Sequence, residues 1–593
     1  MCGIVGVVGN VDTKNILING LCRLEYRGYD SAGIFLAEDN QLYKAVGPLK
    51  KLQEEVPADA AGTLGIGHTR WATHGKATLE NTHPHTSQSG RFVLVHNGVI
   101  ENYRQLKETL LADDIFYGQT DSEVAVHLVE YFVNQGFTVP AAFLQTLNKI
   151  EGSYAFGLID TQTPDTLYAA KNKSPLLVGL GGDFSLIASD ALAVLDQTKN
   201  FLEIKDGEMV ILQKDSVEIF DLAGQPVARQ PFVTQLDAND LDKGAYPYYM
   251  IKEIAEQPSV VRKIIQQYLI EENYVAPALK EVIHEADHLY FVACGTSWHA
   301  SRVGAKYFEE MAHIPATALL ASEAGYRMPL LSARPVFIFL SQSGETADSR
   351  QVLVRVKELG YPTITLTNVL GSTLARESDF ALPLLAGPEI AVASTKAYTA
   401  QVTVLACLAQ QFARQNEKFD LAHELSLVAT AMDTVITEQE TLNLLVADYL
   451  TEQRNAFYIG RYLDYEVSLE AALKLKEISY VQAEGFAAGE LKHGTIALIE
   501  EGTPVFAVIT DPVTASHTRG NMEEVKSRGA RLFSLVSESL ANDDDTFVLP
   551  NVHPLLTPIL SIVPAQLIAY YATLQRGLDV DKPRNLAKSV TVE

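Results

Sequence analysis

The stretch PVFIFLSQSGETADS, residues 335–349, decides the architecture of the larger part of this chain. Its first half, Pro335 to Leu340, is an unbroken apolar run bounded by turn residues, which reads as a strand buried on both faces. Its second half is rich in hydroxyls, carries Gly344, and leads into a helical pattern that runs to Leu359. Upstream, residues 289–293 form a similar apolar run, followed by CGTSWHA at 294–300 and another helix. Downstream, residues 361–367 supply the next strand. Strand, turn and helix in this rhythm specify a doubly wound parallel sheet.

The pattern then returns. Phe457-Tyr458-Ile459-Gly460 echoes Tyr290-Phe291-Val292-Ala293 at an offset of 167 residues. Pro504-Val505-Phe506 echoes Pro335-Val336-Phe337, and Val525-Lys526-Ser527-Arg528-Gly529 echoes Val356-Lys357-Glu358-Leu359-Gly360, both at 169. Two copies of one domain are expected. They differ at the turn after the strand that opens with Pro335 in one copy and Pro504 in the other. The first copy has Ser341-Gln342-Ser343-Gly344-Glu345-Thr346, and the second has Thr510-Asp511-Pro512-Val513-Thr514. Hydroxyls, backbone N–H groups and a helix N-terminus favour a phosphate at the first turn. The aspartate and proline of the second remove donors and add negative charge. Cys294-Gly295-Thr296-Ser297 stands at the neighbouring turn, and ligands of open α/β sheets bind at such strand ends. Helix caps use the same residue types, so the turn chemistry alone leaves a plain cap open.

Residues 1 to about 235 read differently. Short apolar runs at 4–8, 92–95, 154–159 and 176–180 indicate strands, with helices near 102–111 and 122–132. Thr120-Asp121-Ser122-Glu123 has the spacing of a capping box. The polar stretch 235–243 reads as a linker.

The chain has 593 residues with 47 Lys+Arg and 73 Asp+Glu, a formal charge of −26. Such an acidic field excludes sequence-independent nucleic-acid binding, so any anionic substrate needs a local site. The four cysteines, Cys2, Cys22, Cys294 and Cys407, have no zinc-ligand spacing and fit reduced thiols in a cytoplasmic protein. The start, MCGIVGVVGNVD, lacks the basic segment of a signal peptide. The most membrane-like run, 555–574, contains Pro558, Pro564 and Gln566, so a buried helix is expected there.

Cys2 directly follows the initiator Met. Removal of Met1 would place a free α-amine, with a pKa typically ~7.7–8.0, on the same residue as the thiol. One residue would then supply nucleophile and base. Taken alone, Met-Cys-Gly fits an inert buried cysteine better. It is accompanied by Gly67-His68-Thr69-Arg70-Trp71-Ala72-Thr73-His74-Gly75, by His96-Asn97-Gly98 and by Gln119-Thr120-Asp121-Ser122. With this set the N-terminal part resembles the glutaminase domain of the class II, N-terminal-nucleophile amidotransferases. The C-terminal part resembles tandem sugar-isomerase (SIS) domains. Nearly the whole chain is similar to the family of isomerising glutamine–fructose-6-phosphate aminotransferases.

The resemblance implies an α+β four-layer αββα glutaminase domain at 2–235, a linker and helical lead-in at 236–280, and α/β doubly wound SIS domains at 281–425 and 448–583. A catalytic tail follows at 584–593. It implies L-glutamine and D-fructose 6-phosphate as substrates, a homodimer, and no nucleic-acid or membrane partner. Metal and redox cofactors are not required, because proton shifts suffice. At the glutaminase site it implies Cys2 as nucleophile, Asn97 and Gly98 as oxyanion donors, Arg70 and Asp121 as the clamps of glutamine's carboxylate and ammonium, and Trp71, Thr73 and His74 at the pocket. Trp71 would gate an ammonia tunnel. For the sugar phosphate it implies Thr296, Ser297, Ser341, Gln342, Ser343, Thr346, Val392 and Ser394.

For isomerisation it implies Lys474, Glu477, His493 and Lys588. Lys588 would form an imine at C2, Glu477 would carry a proton from C1 to C2, Lys474 would stabilise the developing charge, and His493 would assist ring opening from a partner subunit. Lys474 and Glu477 are three apart and share a helix face. By itself that spacing fits a solvated ion pair better. Thr495 stands where relatives commonly carry Pro. His83 and His85 read as a loop feature rather than a metal site. Other acceptors stay in view: a phosphoribosyl pyrophosphate-using amidotransferase, a SIS-type sugar-phosphate sensor, and a deglycase. The first needs an apolar strand ending in paired acids, which Asp544-Asp545-Thr546 does not supply. The sensor would need neither Cys2 nor Lys588, and deglycases resemble only the C-terminal two-thirds.

Overall fold

A computed structural model of the chain describes residues 2–38, 40–71, 75–234, 243–271, 274–413 and 419–590. Thr73, His74 and nearly all of the expected linker therefore lie outside the described residues. The chain forms two compact units, Met1–Asp242 with Ala587–Glu593, and Lys243–Leu586.

The first unit is built on two antiparallel sheets, one of eight strands and one of six. In the larger, Gly3–Gly9 is buried along its whole length and lies between Leu64–Arg70 and Phe184–Ala188. In the smaller, Phe92–Ile100 pairs with Gly152–Asp160 from end to end. Ile4 and Ile66 from one sheet meet Val95, Ile159 and Val210 from the other. Helices Thr13–Leu24 and Leu49–Glu55 cover the outer face of the larger sheet. Asp121–Asn134 and Val139–Lys149 cover the smaller. The result is four layers, helix–sheet–sheet–helix. Each fully buried Ile, Leu or Phe contributes about 1.5–3 kcal/mol to this packing.

Two local expectations change. Helix Val139–Lys149 was not read from the sequence. Its signals are Pro140 in the first turn and the buried spacing Ala142, Phe143, Thr146, Leu147. The capping box is half formed: Thr120 Oγ1 accepts from Glu123 N at 3.3 Å. The Glu123 carboxylate instead accepts from Tyr117 N and Gly118 N, both at 2.8 Å, and so fixes the preceding loop.

The second unit contains two five-stranded parallel sheets of identical topology. The first runs Ala316–Leu320, His288–Ala293, Pro335–Ser341, Thr363–Thr367, Phe380–Pro383. The second runs Gln482–Ala487, Asn455–Gly460, Pro504–Ile509, Arg531–Ser537, Phe547–Leu549. The internal repeat is thus a repeat of fold. Helix Thr557–Gln575 packs against helix Leu463–Ser479 in this unit's shared core. Among the described residues it belongs to the one segment, Pro554–Gln575, long and apolar enough to cross a membrane, and that segment is 94% buried inside the protein.

Candidate active site

Cys2 enters the strand Gly3–Gly9 half-buried, with its Sγ 3.4 Å from Trp71 N and 3.6 Å from Trp71 O. Burial pushes its thiol pKa up, while the Trp71 N–H and the Arg70 guanidinium pull the other way. Asn97 Nδ2 donates to the Cys2 carbonyl at 3.0 Å, tying the Cys2 backbone to the neighbouring sheet. Asn97-Gly98 does not turn the chain as a hairpin; both lie inside strand Phe92–Ile100. Gly98 has φ +138°, and a Cβ there would sit 2.1 Å from Ser153 O, so only glycine fits. Asp121, the first residue of its helix, accepts from Ile100 N at 2.7 Å, two residues beyond Gly98. Arg70 is buried and donates to Gly75 O at 3.1 Å and Lys76 O at 3.2 Å, holding the backbone of those two residues.

Behind this site lies a group of imidazoles that the sequence reading assigned to a loop. His68 and His83 stack with ring centroids 4.0 Å apart, and His83 meets His85 edge-on at 4.5 Å. His83 Nδ1 accepts from His96 N at 3.3 Å, and His68 Nε2 donates to His96 O at 3.0 Å. The peptide groups on both sides of His96, just before Asn97, are thereby held. Among the described residues no cluster of His, Cys, Asp and Glu could hold a metal ion. Burial lowers the His68 pKa to about 3 and drives His83 and His85 well below the usual histidine value.

A depressed folded-state pKa stabilises the fold above the unfolded value and loses that stabilisation as pH falls below it. The loss therefore begins near pH ~6.5, at about 1.4 kcal/mol per histidine per pH unit. Thermal melts between about pH 6.5 and 5, above most carboxylate titrations, are expected to show the first unit losing stability steeply. A flat melting temperature across that interval would contradict the neutral cluster.

In the second unit the expected phosphate turn is pre-shaped by its own hydroxyls. Ser341 Oγ accepts from Gly344 N at 3.0 Å and lies 2.9 Å from Thr346 Oγ1. Ser343 Oγ accepts from Glu345 N at 3.2 Å. Gly344 has φ +67°, and a Cβ there would fall 1.8 Å from Ser372 Oγ. The turn opens helix Ala347–Glu358, and Gly295–Tyr307 begins at the adjacent strand end. Ser297 on the latter accepts from Gln401 Nε2 at 2.9 Å. The loop carrying Val392 and Ser394 is held by acids: Ser394 Oγ donates to Glu389 at 2.9 Å, and Ala391 N donates to Glu253 at 3.1 Å.

Lys474 and Glu477 lie on helix Leu463–Ser479, which packs against Gly295–Tyr307. Lys474 is fully buried, so the solvated ion pair left open by the spacing is excluded. Its Nζ is 2.6 Å from Glu477 Oε2 and 3.4 Å from Glu470 Oε1, and donates to Thr296 Oγ1 at 2.9 Å. Thr296 in turn donates to Glu470 Oε1 at 3.0 Å, so its hydroxyl faces Lys474 and Glu470. Burial lowers the Lys474 pKa, but Glu470 and Glu477 outweigh it and the net direction is up. Glu477 Oε2 is thus paired directly with the buried ammonium. His493 sits on an exposed turn, Leu491–His493. Lys588 belongs to the first unit, so the second is described without it.

The second copy answers the phosphate question with its own carboxylate. Asp464, at the repeat position of Ser297, accepts from Thr510 N at 2.9 Å and from the Thr510 hydroxyl. Thr510 is the repeat counterpart of Ser341. Burial pushes the Asp464 pKa up to about 7 against those donors. Sequence reading missed Asp464, Glu470 and the histidine group. Glu470 was findable, since residues 470, 474 and 477 recur at one-turn intervals on a single helix face.

The SIS domain family matches residues 282–410 and 449–576, and the glutamine amidotransferase domain family matches 68–196. Glutamine–fructose-6-phosphate aminotransferase [isomerizing] from Streptococcus pneumoniae (strain ATCC BAA-255 / R6) is 57% identical over 100% of both chains. The protein of that name from Streptococcus mutans serotype c is 56% identical, again over 100% of both. Among solved structures, the C-terminal domain of glucosamine-fructose-6-phosphate aminotransferase from Francisella tularensis is 34% identical, with TM-score 0.55. It covers 57% of this chain and 99% of that one.

Proposed function

The chain belongs to the isomerising glutamine–fructose-6-phosphate aminotransferases, and from that premise we propose which of its residues carry each step. The enzyme converts L-glutamine and D-fructose 6-phosphate to L-glutamate and D-glucosamine 6-phosphate.

Cys2 attacks the glutamine amide, with its own α-amine as base once Met1 is removed. Arg70 and Asp121 clamp the amino-acid end, with Trp71, Thr73 and His74 around it. The Asn97 amide and the Gly98 N–H receive the oxyanion. Ammonia reaches the sugar through a protected passage gated by Trp71, since in bulk water it would protonate and cease to be a nucleophile. Ser297, Ser341, Gln342, Ser343 and Thr346 hold the phosphate, with the Val392–Ser394 loop beside the sugar. Lys588 condenses with the C2 ketone, releasing water, and ammonia displaces the lysine. Glu477 takes the proton from C1 and returns it to C2 while the C1 hydroxyl proton passes to the nitrogen, leaving an aldehyde at C1 and an amine at C2. Lys474 balances the charge that develops on the way.

One observation carries the assignment of the isomerase centre. Thr296, on the helix that opens beside the phosphate turn, hydrogen-bonds the buried Lys474 next to Glu477. His493 acts on the site of a second copy, which its exposed turn permits. The exposed apolar side chains of Tyr326 and Leu330 favour such a homodimer. Four free cysteines favour a cytoplasmic location.

Mass spectrometry of a reaction of glutamine with fructose 6-phosphate is expected to show glutamate and an aminohexose phosphate in equal amounts. Lys588→Ala is expected to keep the glutamate and lose the aminohexose phosphate. Undiminished amino-sugar yield from that variant would remove the imine from Lys588.

A further inference from the structure

Helices Gly295–Tyr307 and Leu463–Ser479 meet along a ladder of polar rungs. Arg302 pairs with Glu466, His299 with Glu470, and Thr296 with both Glu470 and Lys474. The middle rung adjoins the proposed isomerase residues without itself having been given a role. His299 Nδ1 lies 2.7 Å from Glu470 Oε2, and Glu470 is fully buried. A carboxylate only accepts, so Nδ1 carries the proton and His299 is the donor.

The surroundings show what this bond does. Lys474 is the cation nearest to two carboxylates, at 2.6 Å from Glu477 and 3.4 Å from Glu470. The Glu389 charge also acts on it. Glu470 Oε1 is satisfied by Thr296, and Glu470 Oε2 by His299. Without His299, one oxygen of a buried carboxylate would lack its donor, and Lys474 is the nearest charge that could move to it. That movement would draw the ammonium away from Glu477 and from Thr296.

We propose that His299 is a positioning residue of the isomerase reaction: by satisfying Glu470 it holds Lys474 on Glu477 and Thr296. This rests on the reading of Lys474 and Glu477 given above. The inference has a stereochemical corollary. An asparagine at 299 can place its Nδ2 where the histidine has Nδ1, whereas leucine has similar bulk and no donor.

The test uses the full chain with saturating glutamine and varied fructose 6-phosphate. His299→Leu is expected to lower kcat for amino-sugar formation about 10- to 100-fold, the scale of a small misplacement of catalytic groups. KM for the sugar phosphate and glutamine hydrolysis should stay near wild type. His299→Asn should restore kcat to within about threefold. A purely structural role would lower the melting temperature and the folded yield of His299→Leu while leaving kcat per folded molecule unchanged, and that outcome overturns the proposal. Equal loss in both variants overturns it as well, because the donor would then not matter. Glu477→Gln is run in parallel. If it keeps full amino-sugar formation, the underlying assignment of Glu477 fails, whatever the His299 variants show.

Discussion

Cys2→Ala is expected to abolish glutamine hydrolysis, by at least about 10⁴-fold, because the nucleophile and the covalent intermediate disappear together. Amino-sugar formation from glutamine should fall equally. Aldose–ketose isomerisation of the sugar phosphate should persist, since Glu477 and Lys474 lie in the other compact unit. The fold should survive too. Cys2 is only half-buried, and alanine keeps the backbone carbonyl to which Asn97 donates. Coupled assays of glutamate release and of glucose 6-phosphate formation separate the two activities. Parallel loss of both would mean that the substitution damages the chain, or that the activities share one centre.

Lys474→Met is expected to have the largest effect on the second unit. Methionine fills much of the lysine's volume but removes the cation from beside Glu470 and Glu477. Glu470 is fully buried, so its charge cannot be solvated in compensation. Breaking a buried pair in this way typically costs about 3–5 kcal/mol. Amino-sugar formation should drop by roughly 10³-fold, the scale reported for removing one transition-state charge stabiliser, with glutamine hydrolysis retained. Adding Glu470→Gln should return part of the lost stability, because the orphaned charge is then gone. Denaturant melts of the single and double variants measure this directly. An unchanged midpoint for Lys474→Met would place the pair in solvent and undo its catalytic assignment.

Much of this was legible in the sequence because it is written in local patterns. The apolar run 335–340 and its hydroxyl-rich turn specify strand, turn and helix within about fifteen residues, and the same grammar recurs in the second copy. Cys2, Arg70, Asn97 and Asp121 announce themselves as motifs. The illegible parts are those made by long-range pairing. Nothing near His83 reveals that its ring stacks on His68 and accepts from His96. Nothing near His299 reveals a carboxylate from 171 residues away. Asn97-Gly98 has the composition of a hairpin turn, and local preference is silent about the nine-residue ladder with Gly152–Asp160 that keeps it extended. The missed helix Val139–Lys149 is short, and its Pro140 reads as a breaker unless it is placed in the first turn.

Asp464 has a consequence for bookkeeping of substrate. Duplication handed this polypeptide two equivalent mouths, and the carboxylate reaching Thr510 keeps one of them shut from within. On the proposed assignment each chain is expected to take up one phosphosugar, a stoichiometry that titration of the full chain with fructose 6-phosphate counts. The second copy would then contribute, in place of a ligand turn of its own, the helix that carries Glu470, Lys474 and Glu477.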